Sequence, residues 1–427
     1  MQSFRDAIGQ ICHTARGFRD DTAASVAIIF ALSIFVILAF VGGAVDFARV
    51  YRAQSGFQQG LDSAVLAAAR AKQLGSSNAD AMTVAEAYIG PIKSKYAIDG
   101  TVNFAVENGG SSIVGNATVS LPTMFLKVIG FDQLAFRSSG TASFGSSTTG
   151  MSNVELVMML DVTGSMTGQK IVDLQAAAQD LVDIVVSDNQ SSRTSRVGLV
   201  PFSEAVKLDQ NTFEAATGKK ITGTYKGCVV ERTGVNAYND NTPTAGSFVV
   251  PLEDKSVGTP CVDGREIIPL TDKKSDLSRM IASLTAGGST AGHLGTAWAW
   301  YLLSPNWSSV INQANIIAPY SDVTELLPNG EPKLRKIAVL MTDGSYNTEY
   351  SSIDSTTQAR ALCQEMKKTG IVVYTIGFQL NGDTQAIETL TGCASDASKF
   401  YDATTGDALR SAFRDIAVKA TPLRLVQ

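Results

Sequence analysis

The stretch Val154-Glu-Leu-Val-Met-Met-Leu-Asp161-Val-Thr163-Gly-Ser165-Met166 combines an apolar run with a polar turn. Such a run, ending at a turn that contains glycine, predicts a buried strand of a parallel sheet, and ligand sites in these sheets gather where strands end. Asp161, Thr163 and Ser165 place one carboxylate and two hydroxyls at every second position of the turn. These are the hard oxygen ligands that Mg²⁺ or Mn²⁺ prefers. The stretch therefore predicts a metal-binding turn.

The composition is that of a folded chain with more than one domain. The chain has 427 residues, of which 44% are apolar and 18% charged, so it can bury a large core divided over two or three domains. The net charge is −5 and there is no long basic run. Nucleic-acid binding needs a positively charged surface, so we expect no nucleic-acid partner.

Residues 22–45 contain no charged side chain and predict a transmembrane helix. At 1.5 Å per residue the segment is about 36 Å long, enough to cross a bilayer with some tilt. A cleaved signal peptide and a buried core helix are the alternatives. The segment is longer than the apolar region of a signal peptide, and no clear Ala-x-Ala cleavage site follows it. We expect residues 22–45 to hold the chain in the membrane and residues 1–21 to be a cytoplasmic segment.

The cysteines give information on the compartment. Cys12 precedes the predicted span, whereas Cys228, Cys261, Cys363 and Cys393 follow it, an even number that can pair in an oxidising compartment. We predict the pairs Cys228–Cys261 and Cys363–Cys393. Four reduced cysteines in a cytosolic domain remain the alternative, because the arginines on the two sides of the span nearly balance and do not fix its orientation.

Residues 46–150 predict a helical stalk with a small β-rich module. Apolar residues from Phe57 to Ala68 recur at helical spacing, so the membrane helix should continue to about Lys72. Short alternating runs from Tyr96 to about Phe144 then predict hairpins that pack against this helix. A small, polar, glycine-containing linker places the next boundary near Gly150.

Residues 151–427 predict a doubly wound α/β domain with a mostly parallel sheet, because strands and helices alternate along them. The predicted strands include Val154–Leu160, Arg196–Phe202, Lys336–Thr342 and Ile371–Phe378, and the predicted helices include Gly168–Val186, Leu294–Leu303 and Gly406–Ala420. Residues 207–272 break this rhythm and predict an insertion. Such an insertion is either a partner-binding rim or tolerated surface decoration.

Two further segments bring oxygen ligands to the same edge of the predicted sheet. Ala286-Gly-Gly-Ser-Thr290 lies between two helices, and Asp343 follows an apolar strand. The predicted metal site comprises Asp161, Thr163, Ser165, Thr290 and Asp343. Two carboxylates leave Mg²⁺ (or Mn²⁺) with a position that a partner's Asp or Glu can occupy. Alternatively, Asp161 caps the following helix and Asp343 is a turn residue.

These motifs resemble the metal-ion-dependent adhesion site of von Willebrand factor type A domains, over residues 153–421. Thr163 stands where that family commonly has serine. Residues 24–32, 45–49 and 61–69 resemble the N-terminal module of tight-adherence (Tad, Flp) pilus-assembly proteins, and the combination resembles the TadG-like family. The resemblance implies a single-pass protein of the bacterial inner membrane whose bulk is periplasmic and whose protein partners belong to a pilus system.

The sequence therefore predicts a membrane-anchored module that binds protein partners through a divalent metal ion. A surface adhesin for host or matrix ligands is the main alternative. A hydrolase would need a base beside a serine, and only His13 and His293 exist. We expect His293 to be a helix-face histidine, Trp298 and Trp300 to be core residues, and the protein to have no catalytic activity.

Overall fold

The computed structural model describes residues 22–426 except 75, 108–111, 144–151, 188–189, 191–193, 223–225, 254–264, 314–315, 329 and 422–423. The predicted cytoplasmic segment 1–21 and Cys261 lie outside the described residues. The described chain forms a stalk module around one long helix and an α/β domain.

The long helix α1 (Thr22–Gln73) has 52 residues and confirms the predicted extension to about Lys72. Of the described helices, only α1 is long and apolar enough, by length and composition, to cross a membrane. Its large apolar side chains are exposed from Ile29 to Val41. Further along, Phe57, Leu61 and neighbouring residues are fully buried. The first half of the helix is therefore exposed, and the second half packs against the rest of the protein.

A second helix and an antiparallel meander pack against the C-terminal half of α1. Helix α2 (Asn78–Tyr96) buries Ala81, Ala85 and Ile89 at a spacing of four residues. The predicted hairpins are confirmed as strands β1 (Asp99–Glu107), β2 (Ser112–Pro122) and β3 (Gln133–Ser143). Gly115 and Gly140 lie on the face that contacts Leu61 and Val65, where an added Cβ would meet these side chains.

The α/β domain confirms the predicted fold class. Its strands, including those of the insertion, are β4 (Asn153–Asp161), β5 (Ser195–Phe202), β6 (Val206–Lys207), β7 (Cys228–Arg232), β8 (Val249–Pro251), β9 (Ile268–Thr271), β10 (Leu334–Thr342), β11 (Val372–Phe378) and β12 (Phe400–Ala403). Its helices are α3 (Gln169–Val185), α4 (Gln210–Thr217), α5 (Lys274–Ser283), α6 (Gly292–Leu303), α7 (Ser321–Thr324), α8 (Ser355–Lys368), α9 (Thr384–Cys393) and α10 (Gly406–Ala420). The main sheet has the order β12-β11-β10-β4-β5-β9, and β9 alone is antiparallel to its neighbour.

Helices cover both faces of this sheet, and its central strands are therefore apolar throughout. Leu156 and Met158 of β4 face the core formed with α3 and α10. Val157 and Met159 face the opposite core, formed with α6 and α8. Trp298, Trp300 and Trp307 are all buried in this second core, so the tryptophans form no exposed surface.

The insertion has a small sheet of its own. Strands β6, β7 and β8 pair antiparallel in that order. Strand β9 falls within the predicted insertion 207–272 but is the edge strand of the main sheet. The structure contains the predicted disulfide Cys363–Cys393, which joins α8 to α9. Cys228 is also disulfide-bonded, and its predicted partner Cys261 lies outside the described residues.

The end of the chain returns to the stalk module. Strand β13 (Arg424–Val426) pairs antiparallel with β3 and becomes the fourth strand of that sheet. Beside it, Gln73 Nε2 donates hydrogen bonds of 2.8 Å to the carbonyl and the hydroxyl of Thr421. The last residues therefore belong to the sheet of the stalk module. The predicted division at 150/151 lies outside the described residues and stays a prediction.

Candidate metal site

The candidate site lies where β4 and β10 end. The two strands are parallel neighbours, and Leu160 is paired with Met341. Asp161 ends β4, and Asp343 directly follows β10. Because parallel neighbours end at the same edge of the sheet, both carboxylates are delivered to one place.

Asp161 is fully buried and fixed through both carboxylate oxygens. Its Oδ1 accepts a hydrogen bond of 2.9 Å from the backbone N–H of Thr163, and its Oδ2 accepts one of 2.7 Å from Thr342 Oγ1. Burial and the nearby charge of Asp343 raise the pKa of Asp161 to about 6, against these hydrogen bonds. Asp161 does not cap α3, since Gly168 is the N-cap residue of that helix.

The two hydroxyls of the turn connect to the second carboxylate. Thr163 Oγ1 and Ser165 Oγ are 3.0 Å apart, and Ser165 Oγ donates a hydrogen bond of 2.6 Å to Asp343 Oδ1. The other oxygen, Asp343 Oδ2, accepts a hydrogen bond of 2.7 Å from Lys170 Nζ, which is an ion pair. Asp343 is therefore more than a turn residue, because its carboxylate binds both the turn after β4 and the first turn of α3.

Thr290 is positioned by backbone hydrogen bonds of its own loop and of the loop after β10. The loop before it is bonded to the turn after β4, from Gly164 N to Gly288 O and from Gly287 N to Val162 O, each 2.8 Å. Asn347 holds the other side, accepting from Thr290 N at 3.0 Å and donating to Thr290 O at 2.9 Å. Within the described part of the chain, the Thr290 side chain makes no hydrogen bond to either carboxylate. Three loops thus meet at the predicted place.

Sequence reasoning missed three participants. Lys170 is one residue into α3, and Thr342 directly precedes Asp343. Asn347 lies in the loop that follows β10. The carboxylate that Lys170 contacts, Asp343, lies 173 positions away in the sequence, so no local pattern points to Lys170. The signal for Asn347 is weak, because a loop asparagine has many possible partners.

The donor set fits Mg²⁺ or Mn²⁺. It consists of two carboxylates and neutral hydroxyls, and Mg²⁺ binds through one or two carboxylates and keeps several waters. Nowhere in the described residues do three His, Cys, Asp or Glu side chains gather as a metal site. A cation at this place would complete its coordination with hydroxyls or waters. Lys170 supplies a positive charge to the same carboxylate, which leaves the cluster with a formal charge of −1.

A second polar cluster lies inside the domain, between α6, α8 and the insertion. His293 Nδ1 is 2.7 Å from Ser355 Oγ, and His293 Nε2 is 3.6 Å from Glu231 Oε2. Burial raises the pKa of Glu231, but His293 and the N–H of Tyr350 outweigh it and lower the pKa to about 2. Ser355 has no exposed surface, so a substrate cannot reach its hydroxyl. The cluster connects the insertion to the helix that follows Thr290.

Two family models match separate parts of the chain. The model described as Putative Flp pilus-assembly TadE/G-like matches residues 24–71, and the model of the von Willebrand factor type A domain matches residues 323–415. The α/β domain therefore contains a match to the von Willebrand factor type A domain, and the long helix α1 contains a match to the TadE/G-like pilus-assembly model.

The comparison with curated proteins finds no match. Among solved structures, the chain is similar to the pilus adhesin SpaC from Lactobacillus rhamnosus GG, with 11% identity, coverage of 75% of this chain and 34% of that chain, and a TM-score of 0.36. It is also similar to the vWF domain of the pilus tip protein Mfa5 from Porphyromonas gingivalis, with 14% identity, coverage of 64% and 96%, and a TM-score of 0.37. The chain thus spans about a third of the length of SpaC.

Proposed function

We propose that the protein is a membrane-anchored module that binds protein partners through a divalent ion during assembly or anchoring of a Tad/Flp pilus. The observation that carries the proposal is the contact between Ser165 Oγ and Asp343 Oδ1, 2.6 Å apart although the residues are separated by 178 positions in the sequence. Folding brings together the oxygen donors of a turn and a distant strand end.

The residues of the site have distinct tasks in this proposal. Asp161 and Asp343 would bind the ion directly, and Thr163, Ser165 and Thr290 would contribute neutral oxygens or hold bound waters. Mg²⁺ or Mn²⁺ there would supply an open coordination position to a carboxylate of the partner. Ser165 is exposed, so the site opens to the surface. Lys170 would have to release Asp343 Oδ2 when the ion binds.

We further propose that the bulk of the chain lies in the periplasm, with residues 22–45 in the inner membrane and residues 1–21 in the cytoplasm. Two observations support this. The apolar side chains of α1 are exposed from Ile29 to Val41, as expected for a helix surrounded by lipid. The Cys363–Cys393 disulfide is of a kind that persists in oxidising compartments.

Capture of partners from cell envelopes tests the metal-dependent function. Detergent-solubilised full-length protein should retain its partners in Mg²⁺ and lose them in a chelator. Asp161→Ala should lose them in both conditions. Asp396→Ala, which removes a surface carboxylate of the same domain that contacts Lys399 and Ser398, is the control and should behave as wild type.

Equal partner retention by the wild type with and without the chelator would contradict the metal role.

Fractionation separates the assembly function from the adhesin alternative. Recovery in the inner membrane with pilus-assembly partners supports assembly, whereas release by protease shaving of intact cells supports adhesion.

A further inference from the structure

The turn between β2 and β3 exposes an unusual amount of apolar surface. It contains a short 3₁₀ helix, Leu126–Ile129. Five large apolar side chains of this turn are exposed: Met124, Phe125, Val128, Ile129 and Phe131. We call residues 124–131 the apolar loop. The most exposed of them, Val128, shows 74% of its surface. Soluble proteins rarely expose apolar side chains contiguously in this way, and such patches mark sites of interaction.

The apolar loop is fastened to α1 by one buried carboxylate. Asp46 accepts hydrogen bonds from the backbone N–H groups of Met124, Phe125 and Leu126, at 3.0, 2.8 and 2.8 Å. Gly42 lets the loop approach, because a Cβ at this position would lie 2.5 Å from the Cβ of Phe125. Three hydrogen bonds to one carboxylate fix the backbone of the loop, so its apolar side chains stay on the outside. The exposure of these side chains is therefore a property of the folded loop and does not come from fraying of the turn.

The point of attachment lies at the end of the predicted membrane span. Asp46 is the first charged residue after residues 22–45. It comes 20 residues after Val26, which corresponds to about 30 Å of helix, the thickness of the hydrocarbon core of a bilayer. Val41, Val45 and Phe47 of α1 are also exposed here, so the apolar surface of the helix continues into the loop.

We propose that the apolar loop inserts into the lipid interface beside α1 and gives the protein a second contact with the membrane. Apolar side chains of peripheral segments reach about 5–10 Å into the boundary between headgroups and acyl chains. The exposed Lys127, in the middle of the loop, can extend its ammonium to the headgroups. With two contacts instead of one, the stalk module would keep a fixed tilt and rotation relative to the bilayer. The inference rests on the membrane anchoring proposed above, but not on the metal site.

Quenching of an introduced tryptophan by brominated lipid tests this proposal. Three full-length variants are reconstituted separately into vesicles of phosphatidylcholine, with or without bromine on the acyl chains. Val128→Trp reports on the loop and Phe35→Trp on the membrane helix. Val235→Trp is the control, because Val235 is 94% exposed on the insertion of the α/β domain. The native tryptophans are buried in that domain and give a constant background.

We expect the brominated lipid to quench the added emission of Val128→Trp and Phe35→Trp and to leave that of Val235→Trp unchanged. Quenching of Phe35→Trp without quenching of Val128→Trp would overturn the loop proposal and leave the anchor intact. Quenching of neither would overturn both. Equal quenching of Val128→Trp and Val235→Trp would show non-specific adsorption and would also overturn the proposal. Addition of a chelator should change none of these results.

Discussion

Strands β4 and β10 carry charged side chains at both ends, and the two ends are built differently. Where the strands begin, Lys336 Nζ lies 2.5 Å from Glu155 Oε2, and both side chains are buried. The ammonium also donates to Leu303 O, and Glu155 Oε1 accepts from the N–H of Ala318, each at 2.8 Å. Where the strands end, two carboxylates lie near each other, Asp161 and Asp343.

The difference shows how burial changes the pKa of a group that has an opposite charge beside it and of one that has a like charge beside it. Burial lowers the pKa of Lys336, but the charge of Glu155 and its hydrogen bond oppose the change. Burial also raises the pKa of Asp161 to about 6, and there the neighbouring Asp343 adds to the effect. Lys170, which is partly exposed, offsets one of the two negative charges at this end. Where the strands begin, the charges of Lys336 and Glu155 neutralise each other. Where the strands end, an excess of negative charge remains that a cation can neutralise.

The largest expected effect comes from removing the buried ion pair of Lys336 and Glu155. Lys336→Met should lower the free energy of unfolding by about 3–5 kcal/mol, because it leaves the buried Glu155 carboxylate without an opposite charge. Urea unfolding followed by the emission of the buried tryptophans measures this in the α/β domain. Adding Glu155→Leu to the variant should restore much of the loss, since a buried pair can be replaced by apolar residues.

Lys399→Met is the matched control for that variant. Lys399 also pairs with one carboxylate of the same domain, that of Asp396, but at the surface. Surface pairs contribute less than about 1 kcal/mol. A loss of stability in Lys336→Met no larger than in Lys399→Met would contradict the importance of the buried pair.

The next largest expected effect is a pH dependence of the free energy of unfolding, caused by Asp161 where β4 ends. In metal-free protein Asp161 holds its proton up to a pKa of about 6, above its ordinary value of 3.8. The folded state therefore binds more protons than the unfolded state between these values, so the contribution of Asp161 to stability is largest below about pH 4 and is lost as the pH rises through 6. The loss should reach about 3 kcal/mol at pH 7.

Asp161→Asn isolates this contribution. The amide can still accept from Thr163 N, and Thr342 Oγ1 can turn its hydrogen toward Gly344 O, 3.1 Å away. Urea unfolding in a chelator between pH 4 and pH 7 should show the wild type losing stability relative to the variant. Parallel curves for the two proteins would refute the perturbed pKa.

Removing Lys170 should strengthen cation binding. Its ammonium holds Asp343 Oδ2, so an incoming Mg²⁺ must displace it. Lys170→Gln should raise the Mg²⁺ affinity about tenfold, which is about 1.4 kcal/mol, as measured by titration calorimetry. Lys399→Gln is a close control, because the side chains of Lys170 and Lys399 are each 23% exposed and paired with one aspartate. Unchanged affinity in Lys170→Gln would show that the lysine does not compete with the ion.

The sequence predicted those parts of the fold and the site whose signals are local. The apolar run of β4 and the alternation of its turn need only 13 neighbouring residues, 154–166. The contact of Lys170 with Asp343 joins residues 173 positions apart, and no local pattern reports it. Strand β13 has three residues, too few for a periodic signal. Helix α2 contains Pro91 and was missed, because burial of its alanines against α1 overrides the unfavourable proline.

The smallest effect concerns the hydroxyl of Thr163. Thr163→Val keeps the shape of this buried side chain but removes the oxygen that lies 3.0 Å from Ser165 Oγ, so the Mg²⁺ affinity should fall about five- to tenfold. Thr163→Ser keeps the oxygen and should stay within about threefold of the wild type. Thr375→Val removes an equally buried hydroxyl of the same sheet, bonded to Leu390 O, and should leave the affinity unchanged. If Thr163→Val and Thr375→Val bind Mg²⁺ alike, the hydroxyls hold the turn together and the two carboxylates alone must bind the ion.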